Sequence, residues 1–404
     1  MSITNLESTS ELSPELRLLL VLSKLNLSES EVNEATLLLA NVQDWKCFVQ
    51  RSIGTYLAPI MHVNMGLLNA SIPEKVKDAL CNSYNQVLVR NIRLYESYKV
   101  VLNQLTEAEV KCIPMKGIYL AESVYRDIGL RHLSDIDLLV KSADADKVCE
   151  IMMAQNWEVK KSKPRSKFEA EQFKHAHPFT FFKNGVTVEL HTHLYNRNQR
   201  ASITEEQLWM NANEEPFLED QIYQFNNEML LQHFCLHLYK HLIGSETKLV
   251  SFCDIRELIS KRDKSLNWGT FRLLCEEYGC HNEVAQTLYL CRSYWRVQIP
   301  EAFFENTSPD QMVEDKFLMF LNGKAKNHAQ TVENNVNKSL KMLSSITGAW
   351  GKMQFAIGLI FPTSEFMYRH FQLTKKTLLL PYYILRFLQL IAKLFTAGFN
   401  RVFR

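Results

Sequence analysis

The chain has 404 residues, a formal net charge of +2 at pH 7, 46% hydrophobic residues and 22% charged ones. The length allows two or three domains, the composition is ordinary for a globular protein, and so small a net charge gives no argument for a nucleic-acid partner. Thirteen glycines and eleven prolines are few for this length and favour helix over a strand-and-turn architecture.

Glu7, Glu11 and Glu15 precede a short apolar run at Leu18–Leu22. A secretory signal needs a basic start and a longer apolar core, so the expectation is a cytoplasmic protein. The nine cysteines include no C-x-x-C pair and are odd in number. That is the pattern of buried free thiols in a reducing compartment, not of a disulfide framework or zinc knuckle.

Residues 12 to about 108 read as helices, with Ser13-Pro14 as an N-cap and first helical position. A long helical spacing runs from Pro73 to Glu109. The period then changes. Lys111–Met115 predicts a strand ending at Lys116-Gly117, Ile118–Tyr125 a helix, and Asp135–Val140 a second strand. A helix over Asp144–Gln155 and a strand over Trp157–Lys160 follow. Phe179–Lys183 and Val186–His193 flank Asn184-Gly185, a strong hairpin signal because both turn residues tolerate positive φ. From Glu205 onwards the spacing is helical again. The expected organisation is a helical region over 1–105, an α+β core over 106–200 and a helical region over 201–404.

Residues two apart in a strand face the same way. Asp135 and Asp137 therefore project together, while Ile136, Leu138 and Val140 face a core. The same alternation puts Glu189, His191 and His193 on one face of the hairpin strand. If the two strands are neighbours, three carboxylates converge, which suits two divalent ions about 3.5–4 Å apart, as used for in-line phosphoryl or nucleotidyl transfer. The plain alternative is a solvated carboxylate pair at a strand end. Lys116-Gly117 sits at a strand-to-helix junction, where glycine, helix N–H groups and a lysine could cradle a phosphate, or where glycine serves the turn alone. Arg131 could reach a triphosphate or lie on the surface. His233, His237 and His241 share one helix face and could ligate a metal, pack in the core, or line a cleft together with His191.

The string Met115-Lys116-Gly117, Tyr125, Leu130-Arg131-His132-Leu133-Ser134-Asp135-Ile136-Asp137-Leu138-Leu139-Val140, followed by Val188-Glu189-Leu190-His191, resembles the bacterial uncharacterised nucleotidyltransferase family of the polymerase-β superfamily. The likeness covers roughly 113–193. Weaker echoes follow at His237 and His241, at Cys253-Asp254-Ile255 before Trp268, and at Phe361–Glu365. The resemblance implies a polymerase-β-like α+β core, a small mixed sheet with helices. It implies that Asp135 and Asp137 bind Mg²⁺ (or Mn²⁺) with the phosphates of an NTP, and that Glu189 binds one metal and helps deprotonate an acceptor hydroxyl. Lys116, Gly117, Arg131 and Ser134 then fall at the nucleotide. The superfamily's Gly-Ser is Lys-Gly here, and its third carboxylate, commonly Asp, is Glu.

Those departures motivate an alternative: a non-catalytic nucleotide-binding or regulatory protein on the same scaffold. The acceptor is not identified by any motif. No basic patch interleaved with aromatics is present, which argues against nucleic acid. The C-terminal segment from His370 to Arg404 has six Lys or Arg and no acid. Its last helix, about Pro381–Asn400, carries one polar stripe at Arg386, Gln389, Lys393, Thr396 and Asn400. Too short in apolar run to span a bilayer, it either packs on the helical region or lies at a membrane surface. In the second case Lys375, Lys376, Arg386, Lys393 and Arg401 would lie near anionic headgroups, making the protein peripheral to the membrane's inner face.

Overall fold

Ser13 Oγ accepts the Leu16 N–H and Pro14 takes the first helical position, which starts α1 (Pro14–Leu22). A capping box between Ser28 and Glu31 starts α2 (Glu29–Leu39). The computed structural model describes residues 12–161, 179–194, 203–244, 248–263, 265–323, 349–371 and 379–402. After α3 (Trp45–Gly54) and α4 (Ala58–Met65), the helix α5 (Glu74–Glu107) runs for 34 residues, about 51 Å at the usual rise. Its buried stripe, including Val76, Leu80, Val87, Leu94, Tyr98 and Leu105, holds helical period throughout.

The chain then enters the sheet. The elements are β1 (Cys112–Met115), α6 (Lys116–Leu120) continuing as one π turn over Ala121–Tyr125, β2 (Ile136–Val140), α7 (Ala145–Ala154), β3 (Glu158–Lys161), β4 (Phe179–Lys183) and β5 (Val186–His191). The strands are ordered β1-β2-β5-β4-β3. Only β2 and β5 run parallel, and the other three pairings are antiparallel. The mixed sheet with helices is the α+β architecture that the sequence implies. Asn184 (φ 50°) and Gly185 (φ 78°) make the β4–β5 turn, the pair of positive φ values that matches strand twist.

Beyond it come α8 (Glu205–Met210), β6 (Ala212–Phe217), β7 (Asp220–Phe225), α9 (Asn227–Gly244), α10 (Val250–Arg262), α11 (Trp268–Glu277), α12 (His281–Trp295) and α13 (Gln311–Leu321). The β6–β7 hairpin departs from the helical spacing read from Glu205 onwards. Its turn is made by Leu218 at φ 57°, with none of the Gly or Asn that signals a hairpin. Gln224 of β7 donates to the Pro114 carbonyl at 3.1 Å, so the hairpin covers the edge at β1.

One apolar core joins α1–α5, the sheet and α9–α13. Trp295 shows how sequence-distant parts meet: its indole N–H donates to Ser23 Oγ at 2.8 Å, and its ring stacks on Phe252 at 4.9 Å. Of the nine cysteines, all free, seven are buried.

The C-terminal helices are α14 (Ala349–Ile360), α15 (Ser364–His370) and α16 (Leu379–Val402). Arg386 turns inward: it is buried, donates to the Leu359 carbonyl at 3.3 Å and lies 5.0 Å over the Phe366 ring. Lys375 and Lys376, and the side chains of Lys393 and Arg401, lie outside the described residues. Among the described residues no helix is long and apolar enough to cross a membrane.

A Cβ on Gly185 would meet nothing within 4 Å, so Gly185→Ala isolates the backbone strain of positive φ. It should lower unfolding free energy by roughly 1 kcal/mol, read from urea midpoints at constant m-value.

Candidate active site

β2 and β5 lie side by side and parallel, with Asp137 opposite Glu189 in register. Strand β2 starts at Ile136, so Asp135 stands just before it and not within it. Ser134 Oγ holds Asp135 there, donating to Oδ1 at 2.7 Å.

Asp137 is buried, and its Oδ1 accepts two hydrogen bonds: from Lys116 Nζ at 2.6 Å and from His191 Nε2 at 2.8 Å. Burial alone would raise its pKa, but the Lys116 charge and the His191 bond outweigh burial and hold the carboxyl well below its usual range. An ionised acceptor at that distance puts the imidazole proton on Nε2. Burial lowers the His191 pKa, opposed by the bond to Asp137. Glu189 Oε2 is 3.8 Å from the same nitrogen. Burial, then Asp137 and Asp135, raise the Glu189 pKa. One ligand atom each from Asp137, Glu189 and His191 lies within 4.8 Å of the others.

Lys116, Ser134, Asp135, Asp137 and Glu189 line a cavity of about 320 Å³, whereas His191, expected at the cleft, is buried against Asp137 and is not part of its lining. Lys240, Lys248 and Tyr56 also line it, and the sequence did not single them out. Tyr56 has φ 64°, packs its ring at a tilt on that of His132 at 4.3 Å and carries Lys248 Nζ at 4.8 Å over its ring. No local spacing connects residues so far apart in the chain. A more open cavity of about 470 Å³, between α5 and the Asn184-Gly185 turn, has no carboxylate or histidine in its lining.

Arg131 lines the main cavity, yet its guanidinium is committed elsewhere. Nη2 pairs with Asp254 Oδ2 at 2.7 Å, Nε with Oδ1 at 3.3 Å, and Nη1 donates to the His132 carbonyl at 2.7 Å. Tyr125 donates to the same Asp254 at 2.8 Å. The cluster ties the loop before β2 to α10. Gly117 serves this packing: a Cβ there would come within 2.4 Å of Arg131 Nη1 and 2.6 Å of Leu133 Cδ2. The positive φ of the pair belongs instead to Lys116, at 54°.

Helix α5 holds the same loop from the other side. Arg90 Nε and Nη2 donate to the Leu133 and Ser134 carbonyls, each at 2.7 Å, and Asn91 Nδ2 donates to the Arg131 carbonyl at 2.7 Å. Sequence reading missed both, because Arg-Asn on a helix looks like a solvated face.

Of the three helix histidines, His237 and His241 line the cavity, with rings 4.4 Å apart. His233 is buried behind them, its ring 5.9 Å from His237. Among the described residues, the cluster able to hold a metal is Asp137, Glu189 and His191, not these three.

Gly117→Ala should destabilise the fold by about 1–3 kcal/mol, because Arg131 is pinned and cannot give way; chemical denaturation measures this. Burial holds the His233 pKa down to about 3, against an ordinary 6.5. The unfolded chain then binds more protons between those values, so stability present above pH 6.5 falls as pH drops towards 3. Urea midpoints at pH 7.5, 6 and 5 should show this decline, and His233→Gln should reduce it.

No curated protein matches the sequence. A family model described as "uncharacterised nucleotidyltransferase" matches residues 41–296, well over half the chain. That span takes in both clamps on the loop, from α5 and from α10, as well as the carboxylate strands, and the chain belongs to the uncharacterised nucleotidyltransferase family.

Proposed function

We propose that the protein transfers a nucleoside monophosphate from an NTP to an acceptor hydroxyl, releasing pyrophosphate, with Mg²⁺ or Mn²⁺ bound by Asp135, Asp137 and Glu189. The observation that carries this reading is the in-register placement of Asp137 and Glu189 on adjacent parallel strands at one cavity that Asp135 also lines. The carboxylates of Asp137 and Glu189 offer oxygens within 4.8 Å of each other, close enough to share one hard divalent cation. When bound, such a cation neutralises phosphate charge and polarises the phosphorus under attack.

The chain's own residues supply the rest. His191 orients Asp137 through the Nε2 bond. Glu189, with its pKa raised by burial and by the aspartates, is suited to take the proton of the acceptor hydroxyl. Lys240 and Lys248 line the same cavity and offer cations to a phosphate chain. Arg131 contributes by fixing the loop that carries Asp135, through Asp254. The sequence shows no basic patch interleaved with aromatics, which favours a small-molecule or protein acceptor over a nucleic acid.

A second reading, a nucleotide-binding or regulatory protein without catalysis, draws on the Lys116–Asp137 ion pair. That pair puts a cation on an oxygen a metal would use.

Calorimetric titration with each NTP, with and without Mg²⁺, should give metal-dependent binding in the wild type. Asp135→Asn and Asp137→Asn should each weaken it tenfold or more. Binding indifferent to both metal and substitution would remove the transferase reading. Radiolabel from an α-labelled NTP appearing on a cell-extract acceptor would remove the regulatory one.

A further inference from the structure

The backbone holds Lys116 at a cost. Its φ of 54° lies in the left-handed region, where a side chain with a Cβ loses on the order of 1 kcal/mol relative to glycine. Glycine would relieve that strain. What the lysine gains is the position of its ammonium: 2.6 Å from Asp137 Oδ1, with 20% of the side chain exposed. Asp137, Asp135 and Glu189 all attract it, strongly enough to outweigh burial and raise its pKa. Lysine brings a compact point charge with three donors on a flexible stem, which makes it the side chain best able to occupy a cation's place among carboxylates.

The oxygen it meets is already shared. Asp137 Oδ1 takes Lys116 and His191 together, which uses both of its lone-pair directions. A divalent ion bound through that oxygen would have to displace one of them. Three carboxylates and one ammonium leave two negative charges, which a single divalent cation balances. The same three carboxylates without the lysine would favour a pair of ions.

Resting on the transferase reading above, we propose that Lys116 is a built-in replacement for one of two metal ions, so that the site binds a single divalent cation per chain. Asp135, Glu189 and the other oxygen of Asp137 remain for that ion, while the Lys116 ammonium takes over the charge that a second ion would bring. The strained backbone at Lys116 is then the consequence of placing an ammonium at the end of β1, where it meets β2.

The test counts bound ions on the full-length protein and does not depend on turnover. Mn²⁺ is titrated and followed by electron paramagnetic resonance, with inorganic triphosphate standing in for the phosphate chain of an unidentified NTP. The wild type should bind one Mn²⁺ per chain. Lys116→Gly, which relieves the positive φ, and Lys116→Gln, which keeps the strain and removes only the charge, should each bind two. Two ions in the wild type would overturn the inference and leave the transferase reading standing. One ion in the wild type and one in both variants would also overturn it, since the ammonium would then be holding no ion's place. No bound ion in the wild type would end the inference and the metal-dependent transferase reading together.

Discussion

A carboxylate buried in the sheet cannot stay ionised without compensation, and Asp137 is such a group. Leaving one charge of this kind unpaired in a protein interior costs several kcal/mol. The surrounding structure can be derived from that demand. Lys116 must sit at the end of β1, His191 must follow Glu189 by two residues on β5, and β2 must lie between them so that one oxygen meets both. A one-residue slip of β5 would turn Glu189 and His191 to the opposite face of the sheet, so the charge arrangement and the register support each other.

The sheet supplies three of the polar groups, while Asp135 depends on the helices. It precedes β2, and the loop leading to it has few ladder bonds of its own. Two helices from opposite ends of the family region hold that loop: α5 through Arg90 and Asn91 on its carbonyls, and α10 through Asp254 on Arg131. Apart from the exposed Ser134 carbonyl, each contact satisfies a backbone or charged group that is wholly or partly buried. The helical flanks therefore belong to the machinery that positions the site, and the family model accordingly extends far beyond the strands themselves.

This division also explains what the sequence discloses. Ile136–Val140 and Glu189-Leu190-His191 follow the two-residue period of a strand and Asn184-Gly185 marks the turn, so the sheet and its facing acids Asp137 and Glu189 can be read directly, whereas Asp135 stands before the strand. Arg131 and Gly117 are different. Their tasks are set by Asp254, more than 120 residues away, and a lone arginine before an acidic pair suggests phosphate binding until its partner is known. The β6–β7 hairpin was illegible for a local reason: a leucine occupies the left-handed turn position, and two glutamates in β6 blur the alternation. Tyr56 and Lys248 enter the cavity from loops with no periodicity at all.

The residues around the cavity therefore differ in kind. At Asp137, strand register and a buried charge leave little freedom, because moving any one of Lys116, Asp137 or His191 strands the others. Tyr56, His132 and Lys248, which also line the cavity, arrive from separate segments and touch through ring faces and a cation over a ring. Such contacts are individually worth about 1 kcal/mol and tolerate sliding. In the proposed reaction the carboxylates hold the metal while Lys248 offers its charge to the phosphate chain. Substitution at Tyr56 or His132 would leave the charge balance around Asp137 intact, because the bonds to its carboxylate come from Lys116 and His191.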